Sequence, residues 1–227
     1  MGINGASKEK QLLLAWNNPI KLEETTMNLF DTDPEFNILP FDGLVNYFGT
    51  VLSETQQQYY FKTLLNHANW QHDQVQVNGK IITTRRKVAW YGNKNYSYHY
   101  SGTTKKANLW TQALLELKAI IEFKTNQTFN SCLLNLYEDG QQGMSWHSDD
   151  ETVLGKHTNI ASLSLGEQRK FSFKHKTQRH ICSIELESGS LLLMQGNTQL
   201  HWLHSLPLNL KSKDPRVNLT FRTILEG

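Results

Sequence analysis

From Phe129 to the C-terminus, apolar and polar residues alternate in short runs, and this period of two constrains the fold more than any other feature of the chain. The runs are Cys132 to Tyr137, Ile160 to Leu165, Lys170 to Lys174, Ile181 to Leu186, Ser190 to Gln195 and Arg216 to Arg222, with turns rich in Gly, Asn and Asp between them. Two helical patterns precede them. Ser53-Glu-Thr-Gln56 is a capping box followed by Tyr60, Leu64, Leu65 and Ala68 at helical spacing. A second helix is expected from about Asn108, with Trp110, Ala113, Leu114, Leu117, Ile120 and Ile121 on one face. Helices followed by many strands predict an α+β fold in which two helices buttress a double-stranded β-helix, or jelly-roll, core.

A chain of 227 residues suits one domain. It is expected over residues 37–227, after an arm (1–36) that lacks a sustained apolar pattern, carries Glu23, Glu24, Asp31, Asp33 and Glu35, and is read as loosely ordered. The formal charge of +2 permits contact with nucleic acid without requiring it. Cys132 and Cys182 are the only cysteines and lie in strand-like runs, so a secreted disulfide framework is not expected and a reducing cytoplasm fits better. Leu12 to Ala15 is too short for a membrane span and lacks the layout of a signal peptide. A soluble monomer with no membrane partner is expected.

His147-Ser-Asp149 sets an imidazole and a carboxylate two residues apart, so in extended backbone both project from one face and can share an ion. A third ligand must come from elsewhere, and His204, after an apolar strand and a Gln-Gly-Asn turn, is the best candidate. Two histidines and a carboxylate leave half of an octahedral iron(II) site open for a cosubstrate and dioxygen, although a zinc hydrolase could use similar ligands. His67, His72, His157, His175, His180 and His201 have no paired carboxylate at suitable spacing and are assigned to surface or packing roles.

In Arg216-Val-Asn-Leu-Thr-Phe-Arg222, Arg216, Asn218, Thr220 and Arg222 share one face while Val217, Leu219 and Phe221 share the other. Either the strand is exposed and its arginines solvated, or both faces are covered and the guanidinium groups need anionic partners, which a dicarboxylate would supply. The two arginine Cα atoms lie about 20 Å apart on an extended strand, so their side chains must converge to serve one small ligand. Asn135 and Tyr137, also on one face, could complete its hydrogen bonding.

Asn135-Leu-Tyr-Glu-Asp-Gly140, Trp146-His-Ser-Asp-Asp-Glu151, Ser162-Leu-Ser-Leu-Gly-Glu-Gln-Arg-Lys-Phe171, His204-Ser-Leu-Pro207 and Arg216 to Arg222 resemble, in order and spacing, the AlkB-type dioxygenases. The resemblance runs from about Phe36 to the C-terminus. It implies that His147, Asp149 and His204 hold Fe(II), and that Asn135, Tyr137, Arg216, Asn218, Thr220 and Arg222 surround 2-oxoglutarate. Arg216 would take the distal carboxylate, with Arg222 near the end that chelates the metal. Upstream, Arg86-Lys87 through Tyr91-Gly92 and Tyr98-His-Tyr-Ser-Gly102 resemble the nucleotide-recognition lid (about 75–102) of the DNA-repair branch. Arg86, Lys87, Tyr98, His99 and Tyr100 are carried over as substrate contacts, because a flipped base and its phosphates require aromatic faces beside cations. Asp150 and Glu151 could accept from an exocyclic amine and attract a base made cationic by N-methylation.

The activity so implied is oxidative demethylation of 1-methyladenine or 3-methylcytosine in DNA or RNA, consuming 2-oxoglutarate and O2 and releasing succinate, CO2 and formaldehyde. Two competitors differ in class: a related dioxygenase acting on protein or lipid, which would lack the basic aromatic lid, and a jelly-roll binding protein without turnover. Asn78-Gly79 marks a tight hairpin whose tip is polar where similar proteins active on duplex DNA carry a large apolar residue. A polar tip cannot replace the stacking lost when a base is extruded, so single-stranded substrate is expected to be preferred.

Overall fold

The computed structural model describes residues 23–26, 33–77, 80–100 and 103–225. In chain order the elements are β1 (Glu23–Thr26), β2 (Leu44–Thr50), α1 (Glu54–His67), β3 (Gln71–Val77), β4 (Lys80–Gly92), β5 (Ser97–Tyr100), β6 (Thr103–Lys106), β7 (Asn108–Leu109) and α2 (Gln112–Thr125). They continue with β8 (Ser131–Tyr137), β9 (Met144–His147), β10 (Ile160–Gly166), β11 (Arg169–His175), β12 (His180–Leu186), β13 (Ser190–Gln195), the short α3 (Thr198–His201), β14 (Trp202–Leu206) and β15 (Arg216–Arg222). The larger sheet runs β2-β13-β10-β15-β8-β4-β3, with β7 beside β4; the smaller runs β1-β12-β11-β14-β9. The mostly antiparallel pairing, with helices on one side, is the α+β jelly-roll expected from the strand pattern.

Two apolar layers separate these parts. One lies between the helices and the larger sheet, where Tyr60, Leu64, Leu114, Leu117 and Ile121 meet Leu134, Leu163, Leu219 and Phe221. The other lies between the sheets and includes Val45, Ile160, Phe173, Ile184, Leu192 and Trp202. All seven residues of β15 are buried. Val217, Leu219 and Phe221 enter the helix-side core, so the polar residues that alternate with them face the space between the sheets. The solvated-strand alternative is thereby excluded.

The Ser53 capping box forms as expected: its hydroxyl accepts from Gln56 N, and the Gln56 side chain accepts from Ser53 N. The second helix starts later than expected. Asn108 is in a parallel strand against Tyr91, and the Thr111 hydroxyl accepts from Leu114 N to open the helix at Gln112. Trp110 therefore precedes the helix and stacks on Phe221 at 6.3 Å. Within the 1–36 segment, Glu23–Thr26 pairs in parallel with β12. No helix among the described residues is long and apolar enough to cross a membrane. Cys132 and Cys182 are buried free thiols.

Candidate iron and 2-oxoglutarate site

The site lies between the sheets. Strands β9 and β14 pair so that His147 stands opposite His204, their ring centroids 4.2 Å apart. The loop after β9 brings in Asp149, whose backbone N–H donates to Gln199 Oε1 at 2.9 Å. One ligand atom from each of the three residues lies within 4.8 Å of the others. His147 Nδ1 is 2.8 Å from the Ser145 carbonyl, which can only accept. The ring proton is therefore on Nδ1, and Nε2 is left for a metal. Phe171 stacks on the His204 ring at 5.5 Å.

Charge states suit a divalent ion. Burial, reinforced by His147, pushes the His204 pKa down to about 3, so the ring is neutral. Burial would raise Asp149, but Arg222, His204 and His147 outweigh it and hold the carboxyl below its usual range. Arg222 supplies the direct contact, NH2 to Asp149 Oδ2 at 2.9 Å. Two neutral-capable imidazoles and an ionised carboxylate on one cavity wall are a fitting donor set for Fe(II).

The cavity, about 110 Å³, is lined by all three of these residues and by Asn135, Tyr137, Arg216, Asn218, Thr220 and Arg222. Arg216 NH2 donates to Ser164 Oγ at 2.9 Å, and its guanidinium lies over the Tyr137 ring. Its Nε is buried and has no hydrogen-bond partner, and among the described residues no carboxylate is close enough to pair with it. Burial, with the opposing pull of Tyr137 and the repulsion of Arg169, brings Arg216 down to about 10, which leaves it cationic at neutral pH. Asn218 Nδ2 donates to Ser162 Oγ at 2.7 Å, and Thr220 Oγ1 to Asn218 Oδ1 at 3.1 Å. A buried cation with unspent donors and a row of hydroxyl and amide groups fit a small carboxylate ligand.

The residues expected to meet substrate are divided. Arg86 lines the cavity, ion-paired with Asp73 and donating to Asn135 Oδ1 at 2.7 Å. Lys87, one residue on, faces the other way and pairs with Glu138 at 2.7 Å. Glu151 lines the cavity, and burial pushes its pKa up against the pull of Arg222. Asp150 is largely exposed, accepts from Ser148 Oγ and is not part of the cavity wall. Tyr98, His99 and Tyr100 form β5 and pair with β6, but their side chains lie outside the described residues, as does Asn78. Asp73 and Gln199 carry no signal in the sequence, and Phe171 stands there only as the end of the Ser162–Phe171 motif, with no role attached. Ser162 and Ser164 had a readable signal, their same-face spacing on a strand that pairs with β15.

Residues 44–222 match the model of the 2OG-Fe(II) oxygenase superfamily. The chain belongs to that superfamily, and within it to the AlkB type. It is 42% identical over 159 residues to the DNA oxidative demethylase ALKBH2 of Bos taurus, covering 66% of this chain and 57% of that one. Against the alpha-ketoglutarate-dependent dioxygenase alkB homolog 3 of Homo sapiens it is 44% identical over 149 residues, 61% of this chain and 51% of that one. It thus spans only a little over half the length of these curated relatives. The solved structure of OsALKBH1 shares the fold, with a TM-score of 0.56 at 13% identity over 79% of this chain and 97% of that chain. Fe(II), 2-oxoglutarate and dioxygen are the cofactor and cosubstrates of a 2OG-Fe(II) oxygenase.

Proposed function

We propose that this oxygenase oxidatively demethylates N-alkylated nucleobases in DNA, 1-methyladenine and 3-methylcytosine among them. The observation that carries the reading is the His147, Asp149 and His204 cluster opening into the same cavity as buried Arg216 and Arg222. The relatives named as DNA oxidative demethylases supply the substrate class.

His147, Asp149 and His204 would hold the iron, which when bound supplies dioxygen activation driven by 2-oxoglutarate decarboxylation. Arg222 fixes one Asp149 oxygen and leaves Oδ1, 3.8 Å from His147 Nε2, on the ligand side. Arg216, braced by Ser164, would take the distal carboxylate of 2-oxoglutarate. Phe171, Met194 and Leu206 line the cavity and limit water around the reacting groups. Glu151 would meet the amine edge of a cationic base, while the lid of residues 75–102 would present the strand that carries it.

Within this reading single-stranded substrate is preferred to duplex, because the hairpin tip expected from the sequence carries Asn78 and not a stacking side chain. The test is incubation with Fe(II), 2-oxoglutarate and a 1-methyladenine oligonucleotide, single-stranded or annealed. Loss of one methyl group by mass, abolished in His147→Ala, Asp149→Ala and His204→Ala, is expected. No mass change would refute the activity. Equal kcat/KM on both strand forms would refute the preference, and an Asn78→Phe variant with no gain on duplex would refute its cause.

A further inference from the structure

Strands β3 and β4 pair regularly except at one place. His72 stands opposite Lys87 and Gln74 opposite Thr83, so the single residue Asp73 faces three, Thr84 to Arg86. Two contacts hold this irregularity: His72 Nδ1 with the Thr84 carbonyl at 3.1 Å, and Thr84 Oγ1 donating to the Arg86 carbonyl at 2.9 Å. Its result is that Asp73 and Arg86 both turn into the cavity wall, with side chains only 4% and 10% exposed. The guanidinium then has a fixed set of neighbours. NH2 pairs with the Asp73 carboxylate, and NH1 donates to Asn135 Oδ1 at 2.7 Å and lies 3.3 Å from Met144 Sδ.

Arginine has donors and no acceptor, so the Asn135 atom that meets it must be the amide oxygen. The NH2 group of Asn135 is consequently the part left to meet a ligand in the cavity, and it is a donor suited to a carboxylate or keto oxygen. We propose that Asp73 and Arg86 are positioning residues for 2-oxoglutarate, acting through the Asn135 carboxamide. The proposal rests on the reading of this cavity as the cosubstrate site. It also gives Arg86 a different task from nucleic-acid contact: its donors are committed inward, whereas Lys80, Arg85 and Lys87 of the same strand stand outside the cavity wall.

The test is calorimetric titration of 2-oxoglutarate into the full chain loaded with Mn(II), which avoids turnover. Fluorescence anisotropy with a methylated single-stranded oligonucleotide runs alongside. Asp73→Asn and Arg86→Lys are each expected to weaken 2-oxoglutarate binding about tenfold, with oligonucleotide affinity unchanged within about twofold. Asp73→Glu should restore most of the loss. In turnover, KM for 2-oxoglutarate should rise while kcat at saturation is largely kept. Asn135→Asp offers Arg86 an acceptor but removes the NH2 donor, so it should lose 2-oxoglutarate affinity even where an Asp73 variant folds poorly.

Unchanged 2-oxoglutarate affinity in Arg86→Lys and Asn135→Asp would overturn the proposal. So would a loss confined to oligonucleotide binding, which would make Arg86 a substrate contact, or a parallel loss of Mn(II) affinity, which would make the pair merely structural. A wild-type chain that fails to bind 2-oxoglutarate would instead refute the reading of the cavity itself.

Discussion

A buried guanidinium with no carboxylate beside it is costly unless a ligand supplies one, and Arg216 is so placed. Arg216→Ala should therefore remove a charge-assisted contact worth about 1.5–3 kcal/mol, raising KM for 2-oxoglutarate roughly ten- to a hundredfold. Steady-state titration of the cosubstrate checks this, and an unchanged KM would take Arg216 out of the site. The two acidic neighbours should separate as their positions do. Glu151→Gln, on the cavity wall, should lower kcat/KM on a 1-methyladenine oligonucleotide well below that of Asp150→Asn, which alters an exposed side chain. Equal effects would mean that burial on the cavity wall does not decide substrate contact. The residues the structure brings together were legible where spacing carried them: His147 with Asp149, and the four polar positions of β15. Asp73 and Gln199 were not, because each reaches the site through long-range contacts that no local pattern encodes, and Phe171 was visible only as the end of a motif with no role attached.

At the scale of elements, strands that alternate cleanly are readable to within about a residue, whereas β4 is readable only at its start, as one flank of the Asn78-Gly79 hairpin. Its Thr83-Thr-Arg-Arg-Lys87 stretch resembles a polar loop, and only pairing with β3 and β8 makes it strand. The start of α2 was misplaced for a related reason: Trp110 lies in phase with the helix face although it packs from the preceding segment. Thr111→Ala should cost about 1 kcal/mol through loss of the cap, lowering Tm by roughly 2–4 °C. Gly140 is more severe. A Cβ there would stand 1.7 Å from the Asn209 carbonyl oxygen, where two loops exchange backbone hydrogen bonds. Those loops are also tied by Arg169, which donates to the Gln142 and Pro207 carbonyls at 3.0 and 2.7 Å. Gly140→Ala should accordingly destabilise the chain by about 1–3 kcal/mol, as read from urea unfolding. An unchanged midpoint would show that the loops can part freely.

For the molecule as a whole, the helices and the larger sheet form one apolar block, while β9 is a four-residue strand at the end of the smaller sheet. It is held there by register pairs of His204 with His147 and of Leu206 with Met144. An ion shared by those two histidines would act as a rivet between the margin of the sheet and its neighbour, closing a chain loop that contains β10 to β13. Metal bound only by the native state adds stability by mass action, about 2.7 kcal/mol at a hundredfold excess over Kd. The effect should also be local. Amide hydrogens of Met144 to His147 should exchange with deuterium much faster in chelator-treated protein than after Mn(II) is restored, while those of β10 and β15 change little. The metal centre would then govern not only oxidation but how often this margin of the barrel frays.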